Sequence, residues 1–235
     1  MFPIERVWIV LFLLVPLAPL EAQLNFFTGP SFEHEVTPQW GYQFEVEHRQ
    51  VVNTGRDNRV LLLGAINRLL TDRLDVTPGI RVTPKYDVDP TTVRLFADLN
   101  YAYPLGESPL VLEARLRSQY DRSLGSGPVN PEVALRPRVS LVYQMLETTY
   151  LIAEYEARYR FDTRDEWTRH RYTFGVEQRL STRISIDAFF RLERDINQPA
   201  PDTEPTVGLY IVYVLPDERH RDWRYRSPFG RSLLW

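Results

Sequence analysis

The sequence predicts an all-β protein: a transmembrane antiparallel up-and-down β-barrel of ten strands, or twelve if both chain ends join the sheet. Three observations carry this expectation. From residue 38 onward apolar side chains recur at every second position, the period of an extended strand. The alternating stretches are long, and the connections between them are alternately tight and extended.

The amino terminus is read first. "MFPIER" carries Arg6, and "VWIVLFLLVPLAPL" (7–20) is an apolar run broken by two prolines and followed by "EAQ". That run is too short and too broken for a comfortable spanning helix, and it has the form of a signal peptide cleaved after Ala22. The expected organisation is therefore a signal peptide over 1–22, a periplasmic segment over 23–37, a barrel over 38–216 and a basic, aromatic tail over 217–235.

The strands are expected at 39–51, 58–70, 74–86, 92–104, 110–121, 133–146, 149–161, 167–180, 183–194 and 206–215. In "WGYQFEVEHRQ" (40–50), Trp40, Tyr42, Phe44 and Val46 share one face, and Gln43, Glu45, Glu47 and Arg49 share the other. The stretch at 92–104 sets Val93, Leu95, Ala97 and Leu99 against Arg94, Asp98 and Asn100. The stretch at 183–194 sets Ile184, Ile186, Ala188 and Phe190 against Asp187, Arg191 and Glu193. Strands of globular proteins run about five or six residues, whereas a tilted strand needs about nine to eleven to cross a bilayer. These have the longer dimension.

"TDR", "GES", "ET" and "ST" are the tight connections; "VNTGRDN", "RSLGSGPVNPE" and "NQPAPDTEP" are among the extended ones. Short turns on one rim and long loops on the other characterise outer-membrane barrels, with the short turns periplasmic. An even strand count then returns both ends to that rim. Aromatics give a further expectation of interface girdles. Trp40, Tyr42, Tyr101, Tyr103, Tyr143 and Tyr213 fall near the short-turn rim, and Tyr86, Tyr120, Tyr159 and Phe161 near the long-loop rim.

The charges of the opposite phase are expected to line the lumen, because an arginine facing lipid at mid-depth costs about 2–4 kcal/mol. The first strands supply Glu45, Glu47, Arg49, Arg94 and Asp98; the middle ones Glu113, Arg115, Arg117, Glu154, Glu156 and Arg158; the last Arg171, Glu177, Arg179, Asp187, Arg191 and Glu193. In the full set of such positions arginine outnumbers acid, and Lys85 is the chain's sole lysine. Pro78 and Pro137 interrupt strands and are expected to mark bulges or strand ends. The segment "LNFFTGPSFEHEV" (24–36) finds no place in the sheet.

The run "RHRYTFGVEQRLSTRISIDAFFRLERD" (169–195), together with "FEVEHR" (44–49), resembles the short outer-membrane β-barrels grouped as a domain of unknown function. The resemblance spans about 38–215 and implies a barrel and an envelope location; it brings no catalytic residues with it.

A net charge of −3 gives no nucleic-acid footprint, and the absence of cysteine excludes disulfides, thiolate metal sites and a lipidated cysteine. No cofactor, metal ligand set or catalytic residue is assigned. An outer-membrane hydrolase would draw on His48, His170 and Ser118, or on Asp121, Asp162 and Asp165 with His170; His34 between Glu33 and Glu35 is half of a metal site. The expected function is that of a non-enzymatic barrel in the bacterial outer membrane with a charged, largely occluded lumen. A narrow pore for small solutes, anionic ones included, ranks second and the hydrolase third. The expected partners are outer-membrane lipid, the barrel-assembly machinery and, for a pore, small solutes.

Overall fold

A computed structural model describes residues 24–52, 58–85, 90–125, 131–161 and 165–215. The segment expected to be a signal peptide (1–22), the 217–235 tail and Tyr86 lie outside the described residues. The strands are β1 (Asn25–Thr37), β2 (Trp40–Val51), β3 (Arg59–Thr71), β4 (Leu74–Thr83), β5 (Thr91–Pro104), β6 (Leu110–Leu124), β7 (Glu132–Leu146), β8 (Thr149–Arg160), β9 (Glu166–Arg179), β10 (Ile184–Asp195) and β11 (Thr203–Val214). They form one closed barrel in chain order, with β1 sealing against β11.

The described residues form a barrel of eleven strands, neither the ten expected nor the twelve of the alternative, because the segment expected to lie outside the sheet is β1. An odd number of up-and-down strands makes the first and last run the same way, so β1 and β11 pair in parallel, from Asn25↔Thr206 to Glu33↔Val214. Every other pairing is antiparallel. The barrel therefore begins at the long-loop rim and ends at the short-turn rim, which corrects the expectation that both ends share one rim.

Gly29 and Pro30 are what disguise β1 as a turn. A Cβ on Gly29 would stand 1.8 Å from the Val46 carbonyl oxygen, so the two backbones approach closely there and glycine is needed. The β1–β2 ladder passes from Thr28↔His48 to Ser31↔Glu45 without a shift of register, and Pro30 sits at Ile211 on the other side. Pro78 and Pro137 are absorbed similarly, and neither makes the expected bulge. The β3–β4 ladder steps from Ala65↔Gly79 to Arg68↔Val76, and the β7–β8 ladder from Leu135↔Tyr159 to Arg138↔Glu156, each in unbroken register.

The polarity of the wall is inside out relative to a soluble barrel. Phe174 is 60 % exposed on the outer face, with Leu95, Leu99, Val139, Leu209 and Ile211 similarly open, whereas Glu45, Glu47 and Asp187 are 0 % exposed inside. Trp40, Tyr42, Tyr101, Tyr103 and Tyr143 are exposed on the outer face towards the short-turn rim, and Tyr120 and Phe161 towards the other. Phe32, Phe44, Tyr155 and Tyr172 also face outward, at intermediate heights.

Candidate functional site: the charged lumen

Strand alternation determines what enters the lumen, and the pairing register arranges it in rows. One row is apolar and runs across seven strands through direct register partners: Val111, Val142, Ile152, Gly175, Phe189, Gly208 and Phe27. Tyr150 and Tyr210 pack against it. A Cβ on Gly208 would meet the Phe189 ring at 2.1 Å, and one on Gly79 would meet the Phe96 ring at 2.3 Å. The inward rings thus lie flat over glycines of the next strand. Arginines cover their free faces: Arg49 over Phe27 at 4.3 Å, Arg117 over Phe96 at 4.4 Å, Arg179 over Tyr150 at 4.7 Å and Arg191 over Phe189 at 4.9 Å.

Above this row, towards the long loops, the lumen is ionic. Glu156 on β8 accepts from Arg115 on β6, from Arg136 on β7 and, at 3.0 Å, from Arg171 on β9. Arg171 also reaches Glu193, which Arg169 shares, and Arg169 binds Asp195. One connected chain of charge-assisted bonds thus crosses from β6 to β10. Arg117 grips Asp98 through two bonds of 2.7 Å, Arg94 grips Asp121 at 2.5 and 2.6 Å, and Arg138 meets Glu154 at 3.2 Å. Across the barrel, Glu47 accepts from Arg49 and from the Tyr210 hydroxyl.

The charges named above for the lumen lie on the inward phase of their strands. Glu45, Glu47, Asp98, Arg115, Arg117, Glu154, Glu156, Glu177, Asp187, Arg191 and Glu193 are buried; Arg49, Arg94, Glu113, Arg158, Arg171 and Arg179 are half-buried on the same phase. Sequence reasoning missed several acids of that phase. Glu33 and Asp75 are buried, and Glu132 and Asp195 are drawn inside by Arg158 and Arg169. They offset the expected arginine excess. Lys85 and Arg183 lie beyond the strands, in a connection and a turn. The inward aromatics were also missed, although Phe27, Phe96, Phe189 and Tyr210 each occupy the polar phase of their strand opposite a neighbouring glycine.

Register creates a second pattern that composition does not reveal. Arg81 faces Arg94, Arg115 faces Arg138, Arg117 faces Arg136 and Arg158 faces Arg169. Like charges directly opposite each other are destabilising unless carboxylates or an anion intervene. Carboxylates intervene for most of them. Arg81 forms no side-chain hydrogen bond or ion pair among the described residues, and its Nε is buried and unpartnered.

The hydrolase and metal candidates are separated by the wall. His170 faces outward and pairs with the Tyr155 hydroxyl at 2.6 Å, whereas Asp121 is inside on Arg94. His34 faces outward to Tyr42 at 3.1 Å, away from buried Glu33. His48 is on β2 and Ser118 on β6, strands that are not neighbours; Asp165 ends the β8–β9 connection, and Asp162 lies outside the described residues.

The profile of the family described as a protein of unknown function, DUF2490, matches residues 24–203, and the chain belongs to that family. Its span takes in β1. No curated protein matches the chain. Among solved structures it is similar to the NanC porin in a rhombohedral crystal form, with a TM-score of 0.48 and 14 % identity over 72 % of this chain and 84 % of that one.

Proposed function

We propose that this chain is a non-enzymatic β-barrel of the bacterial outer membrane whose lumen is closed by its own side chains. The observation that carries the reading is the opposition of faces: large apolar side chains stand open along the outside while carboxylates and guanidiniums are buried within. Water outside would reverse that preference, and hydrocarbon outside requires it. Closure rests on burial. Arg115, Arg117, Arg136, Arg191, Glu156 and Asp187 come from β6, β7, β8 and β10, Glu45 and Glu47 from β2 across the barrel, and all are shielded from solvent.

Two measurements test the reading. Outer membranes from cells expressing the full chain should contain it in a form whose gel migration changes on boiling; recovery from the soluble periplasm without that shift would overturn the membrane placement. Purified protein in a planar bilayer should add no steady ion-sized current steps. Such steps would establish the pore instead.

A further inference from the structure

At the long-loop mouth, β8, β9 and the β10–β11 connection enclose a cavity of about 430 Å³, lined by Arg158, Arg160, Arg169, Glu166, Asn197 and Gln198 among others. That volume lies within the usual range for small-molecule sites, about 300–1,000 Å³. The wall is fastened in place. The Ile196 amide donates to the Thr168 carbonyl at 2.9 Å, and the Asn197 side chain donates to the Trp167 carbonyl at 2.7 Å from a residue held at φ 60°. Arg169, which lines the cavity beside Asp195, is ion-paired to Asp195 and Glu193.

The charges of this mouth are unusually arranged. Arg158 and Arg169 are direct register partners, and the row continues through Arg136 and Arg117 on β7 and β6. Arg158 and Arg160 both reach one carboxylate, Glu132, the second at 3.6 Å. The Nε of Arg158 is buried and has no partner. Guanidiniums so placed present several parallel N–H donors, the geometry that recognises phosphate and carboxylate groups.

We propose that this mouth is a blind binding site for a small polyanion bearing phosphate or carboxylate groups, held by Arg158, Arg160 and Arg169. The anion displaces Glu132 from the two β8 arginines and intervenes between Arg158 and Arg169. The amides of Asn197 and Gln198 supply neutral contacts at the rim. The inference rests on the closed-lumen reading, which makes the mouth a pocket instead of an entrance.

The test is calorimetric titration of the purified full chain with pyrophosphate and, separately, with citrate. At least one should bind with an affinity that falls as salt rises. Arg158→Gln and Arg160→Gln should each weaken it by about tenfold, while Arg183→Gln on the opposite rim leaves it unchanged. Glu132→Gln, which removes the charge of the carboxylate that both β8 arginines reach, should tighten it. No heat from either probe, or an affinity indifferent to both the arginine and the Glu132 changes, would overturn the site. Weaker binding in Glu132→Gln would overturn it too, and this variant carries the test if an arginine variant does not fold. Bilayer conductance is a separate measurement: current steps would defeat the closed lumen, whereas absent binding would defeat only the site.

Discussion

The Tyr210 hydroxyl donates a hydrogen bond to Glu47 across the whole width of β1, over Gly29. Both partners are 0 % exposed. Any larger residue at position 29 would meet the Val46 backbone, so the same glycine that brings two strands together also clears the path for the phenol. Tyr210→Phe leaves Glu47 to Arg49 and should cost about 1.5–3 kcal/mol, the worth of a hydrogen bond to a charged group. Urea unfolding in a bilayer or detergent, followed by tryptophan fluorescence, measures it. No change would mean that the bond is not formed.

Glu156 is the acceptor for three arginines from three strands. Glu156→Ala takes from buried Arg115 and Arg136 the carboxylate that pairs them, while Arg171 keeps Glu193, and loss of one partner from a buried pair costs about 3–5 kcal/mol. The same unfolding measurement should show a cost at the upper end of that range. Glu156→Gln keeps the shape and loses the charge, so it should fall between the wild type and alanine.

The outer face distinguishes lipid from water directly. Phe174→Arg at mid-barrel should cost about 2–4 kcal/mol and Val36→Arg at the short-turn rim only about 0–1 kcal/mol, the depth dependence of a lipid-facing charge. Comparable small effects at both positions, in unfolding measurements on the reconstituted protein, would place water outside.

The parallel seam has its own test, made clean by the absence of cysteine. Thr28 and Leu209 are register partners on the outer phase of β1 and β11. Neighbouring strands lie about 4.8 Å apart, within reach of a disulfide. Thr28→Cys with Leu209→Cys should crosslink on mild oxidation and change migration on a non-reducing gel. A failure to crosslink in folded protein would show that β1 and β11 are not neighbours.

Much of this wall is legible in the sequence because the outer face and the lumen place opposite demands on alternate residues. Most of the ten expected strands follow from that period, and so does the inward phase of Glu45, Arg117 and Glu193; 58–70 has no clean period and 206–215 is apolar on both faces. The period fails where backbone geometry outranks polarity. "TGPS" in β1 reads as a turn, because its glycine and proline are judged by their local habits and not by the strand approaching them. Phe96 and Phe189 break the polar phase for a reason one strand away, at Gly79 and Gly208. The pairing of arginine with arginine is invisible for the same reason: it depends on register, which a single strand does not encode.

The odd strand count changes how the barrel can be handled. In an even barrel the two ends meet, and a short linker can join them to make a circular permutant. Here β1 starts at one rim and β11 stops at the other, so a joining linker would have to travel the barrel's height, roughly 30–40 Å for strands of this length at about 3.3 Å per residue. Fusions ahead of Asn25 and behind Val214 would be held on opposite faces. A pair of such reporters, read by protease access from each side, would show the sidedness of the molecule without touching a residue of its wall.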